Sequence, residues 1–268
     1  MANFLREIEV IVGEAKFKST RFYIEFTVEK SEKDDLNTAE IIIFNMKEET
    51  RELITKGQTV IINAGYDGDV GAIFIGGIDS VSTMKEPVDY ATTLTCVDGT
   101  VASKVEVNKT YAEGSTSTQV INDLISLSGL EANIVRINQE IVYSNGKTVY
   151  GNLIDNLKKV VNDTESKFYI KDNIITINLE QDGLVVAHVI TSDTGLLTTP
   201  TRKEVGDEED AVVLYDIQSL LNHNLDVDSI VQVDSLSLNG DYRIVRVRHS
   251  GDLQDDFTSE IEVIVSKV

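Results

Sequence analysis

The sequence is poor in residues that several common chemistries require. Of its 268 residues, one is cysteine, two are proline, three are histidine and none is tryptophan. The single cysteine, Cys96, excludes an intrachain disulfide and agrees with folding in a reducing cytoplasm. Without tryptophan the chain lacks the usual aromatic platform for sugars, and two prolines are too few for a proline-rich linker.

Acidic residues outnumber basic residues by 45 to 24, which gives a formal net charge of −21. Such a surface repels phosphate, so specific recognition of DNA or RNA and adhesion to anionic lipid are both disfavoured. The apolar runs are far shorter than the roughly 20 residues of a membrane-spanning helix, and the N-terminus lacks the apolar segment of a signal peptide. We therefore expect no membrane association. The 41% of hydrophobic residues still suffice for a globular core.

Residues 1–105 are predicted to form a first β domain, because aromatic and β-branched runs alternate there with short polar turns. Asn45 is predicted to cap a short helix over residues 46–56, with Glu48 as its capping-box partner. The four consecutive apolar residues at 41–44 exceed what one exposed strand face tolerates. We expect this helix or a neighbouring chain to cover them.

Residues 106–182 change to a pattern typical of a small α+β domain. A helix capped by Thr116 or Ser117 is predicted to stop at Gly129, since its apolar residues follow one helical stripe. A second helix is expected after Thr148. An Asp-Asn pair between two later apolar runs predicts a β-hairpin.

Residues 183–268 return to a β pattern. Residues 196–210 have no hydrophobic period and end in consecutive acids, which predicts a mobile loop. Residues 216–221 are expected to form one helical turn. The chain is thus predicted to be mainly β, with two β-barrel domains that flank an α+β insertion.

Two blocks of nearly equal length, residues 58–96 and 228–264, have the same succession of features. Each has an opening strand, an Asp-Gly or Asn-Gly turn, a second strand, an acidic loop and a closing strand. Any two β-meanders share some of this spacing, so chance similarity and a true internal repeat both remain open at this stage. A true repeat has a consequence for assembly, because three copies of a two-repeat chain would present six similar units in a ring.

No pattern of catalytic or ligand-binding residues emerges. The histidines His188, His223 and His249 lack metal-ligand spacing, and the chain has no sequence motif of a hydrolase. Gly146 precedes Lys-Thr as in a phosphate-binding loop, but the position that needs a second glycine is Ile141. We therefore predict no catalytic residue, no cofactor site and no metal site, and a protein that is not an enzyme.

The most informative segment runs from residue 219 to residue 265. It combines Ser-Leu-Leu-Asn, Ser-Ile-Val-Gln-Val, Asn-Gly-Asp-Tyr-Arg-Ile, a His-Ser-Gly-Asp turn and a final strand. This segment resembles the C-terminal barrel of phage tail baseplate central hub proteins of the late-control D type. The helix–hairpin–helix–hairpin order of residues 106–182 resembles the usual insertion of that family, and Thr-Cys-Val-Asp-Gly at 95–99 looks like the end of its first barrel.

The resemblance implies a structural protein of a contractile tail or tail-like particle. It implies two tail-tube-like barrels per chain and a homotrimeric, pseudo-six-fold ring that adapts the hexameric tail tube to a trimeric spike. The expected partners are the tube, spike and baseplate wedge proteins, with a tape-measure contact left open. DNA would pass through the lumen without specific binding, and assembly would take place in the host cytoplasm. The alternatives are a cell-wall carbohydrate-binding β protein and a degenerate cell-wall hydrolase.

Overall fold

Strands dominate the chain, which divides into two compact units. Unit 1 combines residues 1–97 with residues 183–268, and unit 2 consists of residues 98–182. The computed structural model describes these parts of the chain: residues 5–32, 36–85, 87–99, 102–179, 184–205 and 212–266. The expectation of a mainly β fold with an α+β insertion is confirmed.

Unit 1 is built from long antiparallel strands and one short helix. Its elements are β1 (Arg6–Val12), β2 (Ala15–Lys18), β3 (Ile24–Ser31), β4 (Thr38–Phe44), α1 (Glu48–Glu52), β5 (Thr59–Tyr66), β6 (Asp69–Lys85) and β7 (Tyr90–Val97), followed after the insertion by β15 (Leu184–Ile190), β16 (Thr201–Val205), β17 (Val212–Leu220), β18 (Ser229–Asp234), β19 (Asn239–Gly251) and β20 (Phe257–Val265).

Unit 2 supplies the remaining elements. They are β8 (Glu106–Tyr111), β9 (Ser115–Thr116), α2 (Ser117–Ser128), β10 (Glu131–Val135), β11 (Val142–Tyr143), β12 (Lys147–Asn152), α3 (Leu153–Asp163), β13 (Ser166–Lys171) and β14 (Ile174–Leu179), with one 3₁₀ turn over Ala102–Lys104.

The strands of unit 1 join in one 13-stranded sheet of the described residues. Its main path runs β16-β17-β20-β19-β3-β4-β7-β6-β5-β1-β2, and β18 and β15 branch from β19. All pairings are antiparallel except β15 with β18. Alternation explains the strands, because in β3 Ile24, Phe26 and Val28 are buried while the residues between them are partly exposed.

The strand order of unit 1 occurs twice, which confirms the predicted repeat at the level of topology. The first copy has the neighbour order β3-β4-β7-β6-β5-β1 and the second has β16-β17-β20-β19-β18-β15. The register also matches, since Val81 and Ile41 both lie opposite Leu94, as Val247 and Ile217 both lie opposite Ile261. The β6–β7 and β19–β20 pairs each carry one register irregularity at the corresponding place. The copies differ where β1 joins β5 antiparallel and β15 joins β18 parallel.

The apolar run at 41–44 is divided between the two faces of β4. Ile41 and Ile43 are fully buried in the core of the first copy, whereas Ile42 and Phe44 lie on the opposite face and are partly exposed. The segment around α1 covers part of the core, because Met46 and Ile54 on either side of the helix are buried. The helix itself is shorter than predicted and buries no residue.

Asn45 does not cap α1, so that prediction was wrong. Lys47 stands at the N-cap without a side-chain hydrogen bond. The amide of Asn45 instead donates to Asp89 Oδ1 over 2.7 Å and accepts from the Tyr90 N–H over 3.1 Å. Asn45 has a φ of 56°, a left-handed conformation that asparagine adopts more readily than most residues. Its side chain therefore ties the end of β4 to the start of β7 rather than starting the helix.

Two further predictions in the last third of the chain were wrong in part. Residues 216–221 form no helical turn, because β17 continues through Leu220 and pairs with β20. Within the predicted loop at 196–210, Thr201–Val205 forms strand β16, and residues 206–210 lie outside the described residues. In both cases sheet pairing supplies backbone partners that local sequence does not reveal.

Helix α2 of unit 2 starts and ends where the sequence indicates. Thr116 forms a capping box with Gln119: its hydroxyl accepts from the Gln119 N–H over 3.3 Å, and the Gln119 side chain accepts from the Thr116 N–H over 3.1 Å. Gly129 ends the helix with a φ of 71°, which costs glycine little. Val120, Ile121 and Leu124 are buried, as a single apolar stripe predicts.

We expect the variant Thr116→Ala to lower the free energy of unfolding by about 1 kcal/mol, because it removes the oxygen that satisfies an orphan helix N–H. The measurement is chemical denaturation followed by circular dichroism. Thr116→Ser keeps that oxygen and is the matched control, for which we expect nearly wild-type stability. Equal losses in both variants would contradict the capping role.

The second helix begins later than predicted. Residues 148–152 form the end of β12, which pairs with β8, and α3 starts at Leu153 with the Asn152 side chain accepting from the N–H groups of Ile154 and Asp155. The hairpin of β13 and β14 is as predicted, since Asp172 and Asn173 both adopt positive φ at its turn.

Candidate assembly surfaces

The two copies of the repeat meet where β3 of the first copy pairs with β19 of the second. Six residue pairs join them, from Arg246 opposite Ser31 to Gly251 opposite Phe26. On the exposed face, Arg246 lies 3.3 Å and Arg248 3.5 Å from Glu29. These side chains are more than 40% exposed, so their ion pairs contribute little to stability but match the charges across the junction.

Buried charges lie on the other side of the same junction. Lys30 is 2% exposed, and its ammonium lies 3.1 Å from Asp226 Oδ2. Arg243 of β19 forms ion pairs with Glu32 and with Asp228, which is fully buried. The pairs Lys30–Asp226 and Arg243–Glu32 each join a residue of the first copy to one of the second, so they link the two copies of the repeat, whereas Arg243 and Asp228 both lie in the second copy. Burial lowers the pKa of Arg243, but a guanidinium remains charged even so.

His249 lies beside these charges in a closed hydrogen-bond network. Its Nε2 is 3.0 Å from the Leu225 carbonyl and its Nδ1 is 2.8 Å from the Ser259 hydroxyl. Because a carbonyl only accepts, Nε2 carries the proton, and neutral Nδ1 then accepts from Ser259. Burial, with a contribution from the nearby Lys30 charge, lowers the pKa of His249 to about 4. His249 is thus a neutral core residue in β19.

Alternation could have identified Lys30, although our sequence interpretation missed it. Lys30 has the same parity as Ile24, Phe26 and Val28 in β3, which places it on the buried face. A charged residue at such a position predicts a buried partner. The partner could not be found from sequence, because Asp226 is 196 residues away along the chain.

The exposed face of the sheet carries more acidic than basic residues. Register places Asp216, Glu262 and Arg246 in one row and Glu260, Arg248 and Glu29 in the next. With the other charged residues of this face, the strands from β16 to the second half of β6 present six carboxylates and three cations. The carboxylates are Glu25, Glu29, Glu40, Asp216, Glu260 and Glu262, and the cations are Lys203, Arg246 and Arg248.

Each cation of this face is paired with carboxylates. Lys203 lies 2.8 Å from both Asp216 and Glu262, and the two arginines contact glutamates on the neighbouring strands. The face is therefore net negative, and its positive charges are neutralised locally.

Several strand edges of unit 1 have no partner strand among the described residues. Strand β2 pairs only with β1, and β15 pairs only with β18; two further edges belong to β16 and to the second half of β6. Strand β16 pairs only with β17. Strand β6 pairs with β5 up to Gly77, and its second half, Ser80 to Lys85, pairs only with β7. Met84 in this half is 71% exposed. Unpaired N–H and C=O groups along an exposed edge favour the addition of another strand.

Among the described residues, no group of three or more His, Cys, Asp or Glu residues has metal-binding geometry. Cys96 is fully buried in β7, and burial raises the pKa of its thiol to about 12. Gly146 makes a turn with a φ of 74° before β12, so the Lys-Thr that follows it begins a strand rather than a phosphate-binding helix. None of the described helices is long and apolar enough to cross a bilayer.

A duplicated antiparallel sheet whose edges lack partner strands among the described residues is suited to assembly with further strands. Comparison with protein families gives the class: the family model described as Baseplate hub gp41 matches residues 10–258. The chain therefore belongs to the Baseplate hub gp41 family, and its role is structural, in the baseplate of a phage tail or related particle. A search of curated protein sequences found no match.

Solved structures of tail proteins share the fold. The 43 kDa tail protein of prophage MuSo2 from Shewanella oneidensis has a TM-score of 0.71 at 9% identity, and the match covers 97% of this chain and 98% of that one. A tail protein from Neisseria meningitidis MC58 has a TM-score of 0.72 at 8% identity, with 97% of each chain covered. The Escherichia coli c3393 protein, a component of the type VI secretion system, has a TM-score of 0.68 at 11% identity, with 96% and 76% covered.

Proposed function

We propose that three copies of this chain form a pseudo-six-fold ring at the centre of the baseplate, as hub proteins of the late-control D type do. The observation that carries this proposal is the repeated strand order of unit 1. Each chain contributes two similar units, so a trimer offers six similar positions to a hexameric tube and three identical positions to a trimeric spike. Family membership favours this role over a carbohydrate-binding protein or a degenerate hydrolase.

The partners follow from this position. The ring would contact the tail tube protein on one side and the spike protein on the other, and baseplate wedge proteins would surround it. A tape-measure contact is also compatible with a central location. The c3393 protein is described as similar to the phage T4 tail proteins gp27 and gp5, which supports a hub-like position for a chain with the same fold. Assembly in the host cytoplasm and final residence in the particle baseplate complete the proposal.

The charge of the sheet agrees with DNA passage through such a ring. Six carboxylates and three locally paired cations on the exposed face would repel phosphate rather than bind it. DNA could then cross the lumen without specific binding. This role requires that the exposed face line the lumen, which is part of the proposal.

Multi-angle light scattering of the purified chain, alone and with tube protein, tests the trimer. We expect a mass of three chains at micromolar concentration, or trimers that form on tube-protein ends. A chain that stays monomeric under both conditions would contradict the hub proposal.

A further inference from the structure

The repeat of unit 1 predicts how neighbouring chains join. Inside one chain, β19 of the second copy pairs with β3 of the first. In the repeat, β6 corresponds to β19 and β16 corresponds to β3. Two of the edges without a partner strand among the described residues, the second half of β6 and β16, are therefore the counterparts of the two strands that meet at the internal junction.

We propose that the second half of β6 in one chain pairs antiparallel with β16 of the next chain, with Val81 opposite Glu204 and Thr83 opposite Arg202. This inference rests on the proposed ring and specifies its interface. The pairing repeats the internal junction between chains. Strand β19 pairs with β3 inside each chain, and its counterpart β6 pairs with β16, the counterpart of β3, in the next chain. Such a head-to-tail contact closes into a ring when the rotation permits and leaves neither edge open.

The register follows from residues that correspond in the two copies. Val81 corresponds to Val247, because both lie opposite the central core residue of the next strand. In the internal junction Val247 lies opposite Lys30 of β3. Within β3, Lys30 comes four residues after Phe26, and Phe26 lies opposite Ile41 of β4. In the second copy Ile217 corresponds to Ile41, and the β16–β17 register places position 200 opposite it. Four residues further on is Glu204, which therefore faces Val81.

The hydrogen-bonding directions of both edges agree with this register. The Leu221 N–H donates to the Phe257 carbonyl, so odd-numbered residues of β17 bond to β20 and even-numbered ones bond to β16. The N–H groups of Arg202 and Glu204 consequently point away from β17. The Asn45 N–H donates to the Tyr90 carbonyl, and the same alternation across β7 and β6 directs the N–H groups of Val81 and Thr83 to the open side.

Side chains on the two edges are compatible in this register. Glu204 faces Val81, Lys203 faces Ser82, Arg202 faces Thr83 and Thr201 faces Met84. No two like charges lie directly opposite, which would destabilise a cross-strand pair. The charged residues of β16 disfavour its pairing with another copy of β16. The small polar residues Ser82 and Thr83 of β6 place no charge opposite Lys203 and Arg202.

Disulfide trapping tests the register directly. Met84 and Thr201 would form a non-hydrogen-bonded pair with Cα atoms about 4.5 Å apart, within the range of a disulfide. The double variant Met84→Cys/Thr201→Cys should give a covalent trimer on a non-reducing gel. The matched control Met84→Cys/Val205→Cys is four residues out of register, a separation of roughly 13 Å along the strand, and should stay uncrosslinked. Cys96 is buried in both proteins.

A proline variant tests the backbone contribution. Arg202→Pro removes an N–H that points to the open edge, a position at which a strand tolerates proline. The variant should therefore be monomeric, with a circular dichroism spectrum and a melting temperature close to those of wild type. Arg202→Ala keeps the N–H and should remain trimeric. A trimeric wild type with no Met84/Thr201 crosslink, or normal assembly of Arg202→Pro, would overturn the pairing alone. A wild type that is monomeric even with tube protein would overturn both the pairing and the hub role.

Discussion

Replacing Arg243 by methionine is expected to lower the free energy of unfolding by about 3–5 kcal/mol, the usual cost of removing one member of a buried ion pair. Arg243 is 7% exposed, and its guanidinium pairs with Glu32 and with the fully buried Asp228. Methionine fills similar space but leaves both carboxylates without that cation. Denaturation by urea at pH 7 measures the loss.

The matched control for this prediction is Arg248→Met, on the same strand. Arg248 is 45% exposed and contacts Glu29 and Glu260 at 3.5 and 3.8 Å, so its loss should cost about 0–1 kcal/mol. The double variant Arg243→Met/Asp228→Asn should recover part of the stability, because it removes the charge of one of the two carboxylates that Arg243 pairs with. Equal effects of the two methionine variants would show that burial at the junction does not matter.

Acidification is expected to destabilise the protein through His249. The pKa of a histidine in the unfolded chain is near 6.5, and burial lowers the pKa of His249 to about 4. Below pH 6.5 the unfolded state binds a proton at this histidine, whereas the folded state does not bind it until the pH approaches 4. The contribution of neutral His249 to stability is therefore fully present above about pH 6.5 and is lost as the pH falls towards 4. The shift corresponds to about 3 kcal/mol over that window.

His249→Gln separates this effect from the titration of carboxylates. The variant should be less stable than wild type at pH 7.5, since it disturbs the bonds to Leu225 and Ser259. Its stability should fall less steeply between pH 6.5 and 4.5, because the unfolded chain no longer gains that proton. NMR titration of the His249 ring gives the pKa of the folded protein directly. Identical pH slopes, or a ring that titrates near 6.5, would contradict the prediction.

Local sequence signals predicted local structure well. The helix cap predicted at Thr116 or Ser117, the stop at Gly129 and the Asp172-Asn173 hairpin each depend on residues a few positions apart, so local sequence suffices to predict them. Spacing also suggested the repeat, because turns and strand lengths recur along the chain, but only the strand order distinguished it from chance similarity. Predictions failed at Asn45 and at residues 216–221, where the partners are strands distant in sequence.

The sequence by itself determined the β class, the α+β insertion, the excess of acidic residues and the resemblance to baseplate hub proteins. The tertiary structure alone decided which strands are neighbours, because sheet pairing is not encoded by nearby residues. The junction of β3 with β19 shows why, since Glu32 and Arg243 meet across 211 positions. Lys30 and His249 are buried on the two strands of that pairing, and the strand order of the whole sheet leaves β16 and the second half of β6 each with an edge that has no partner strand among the described residues.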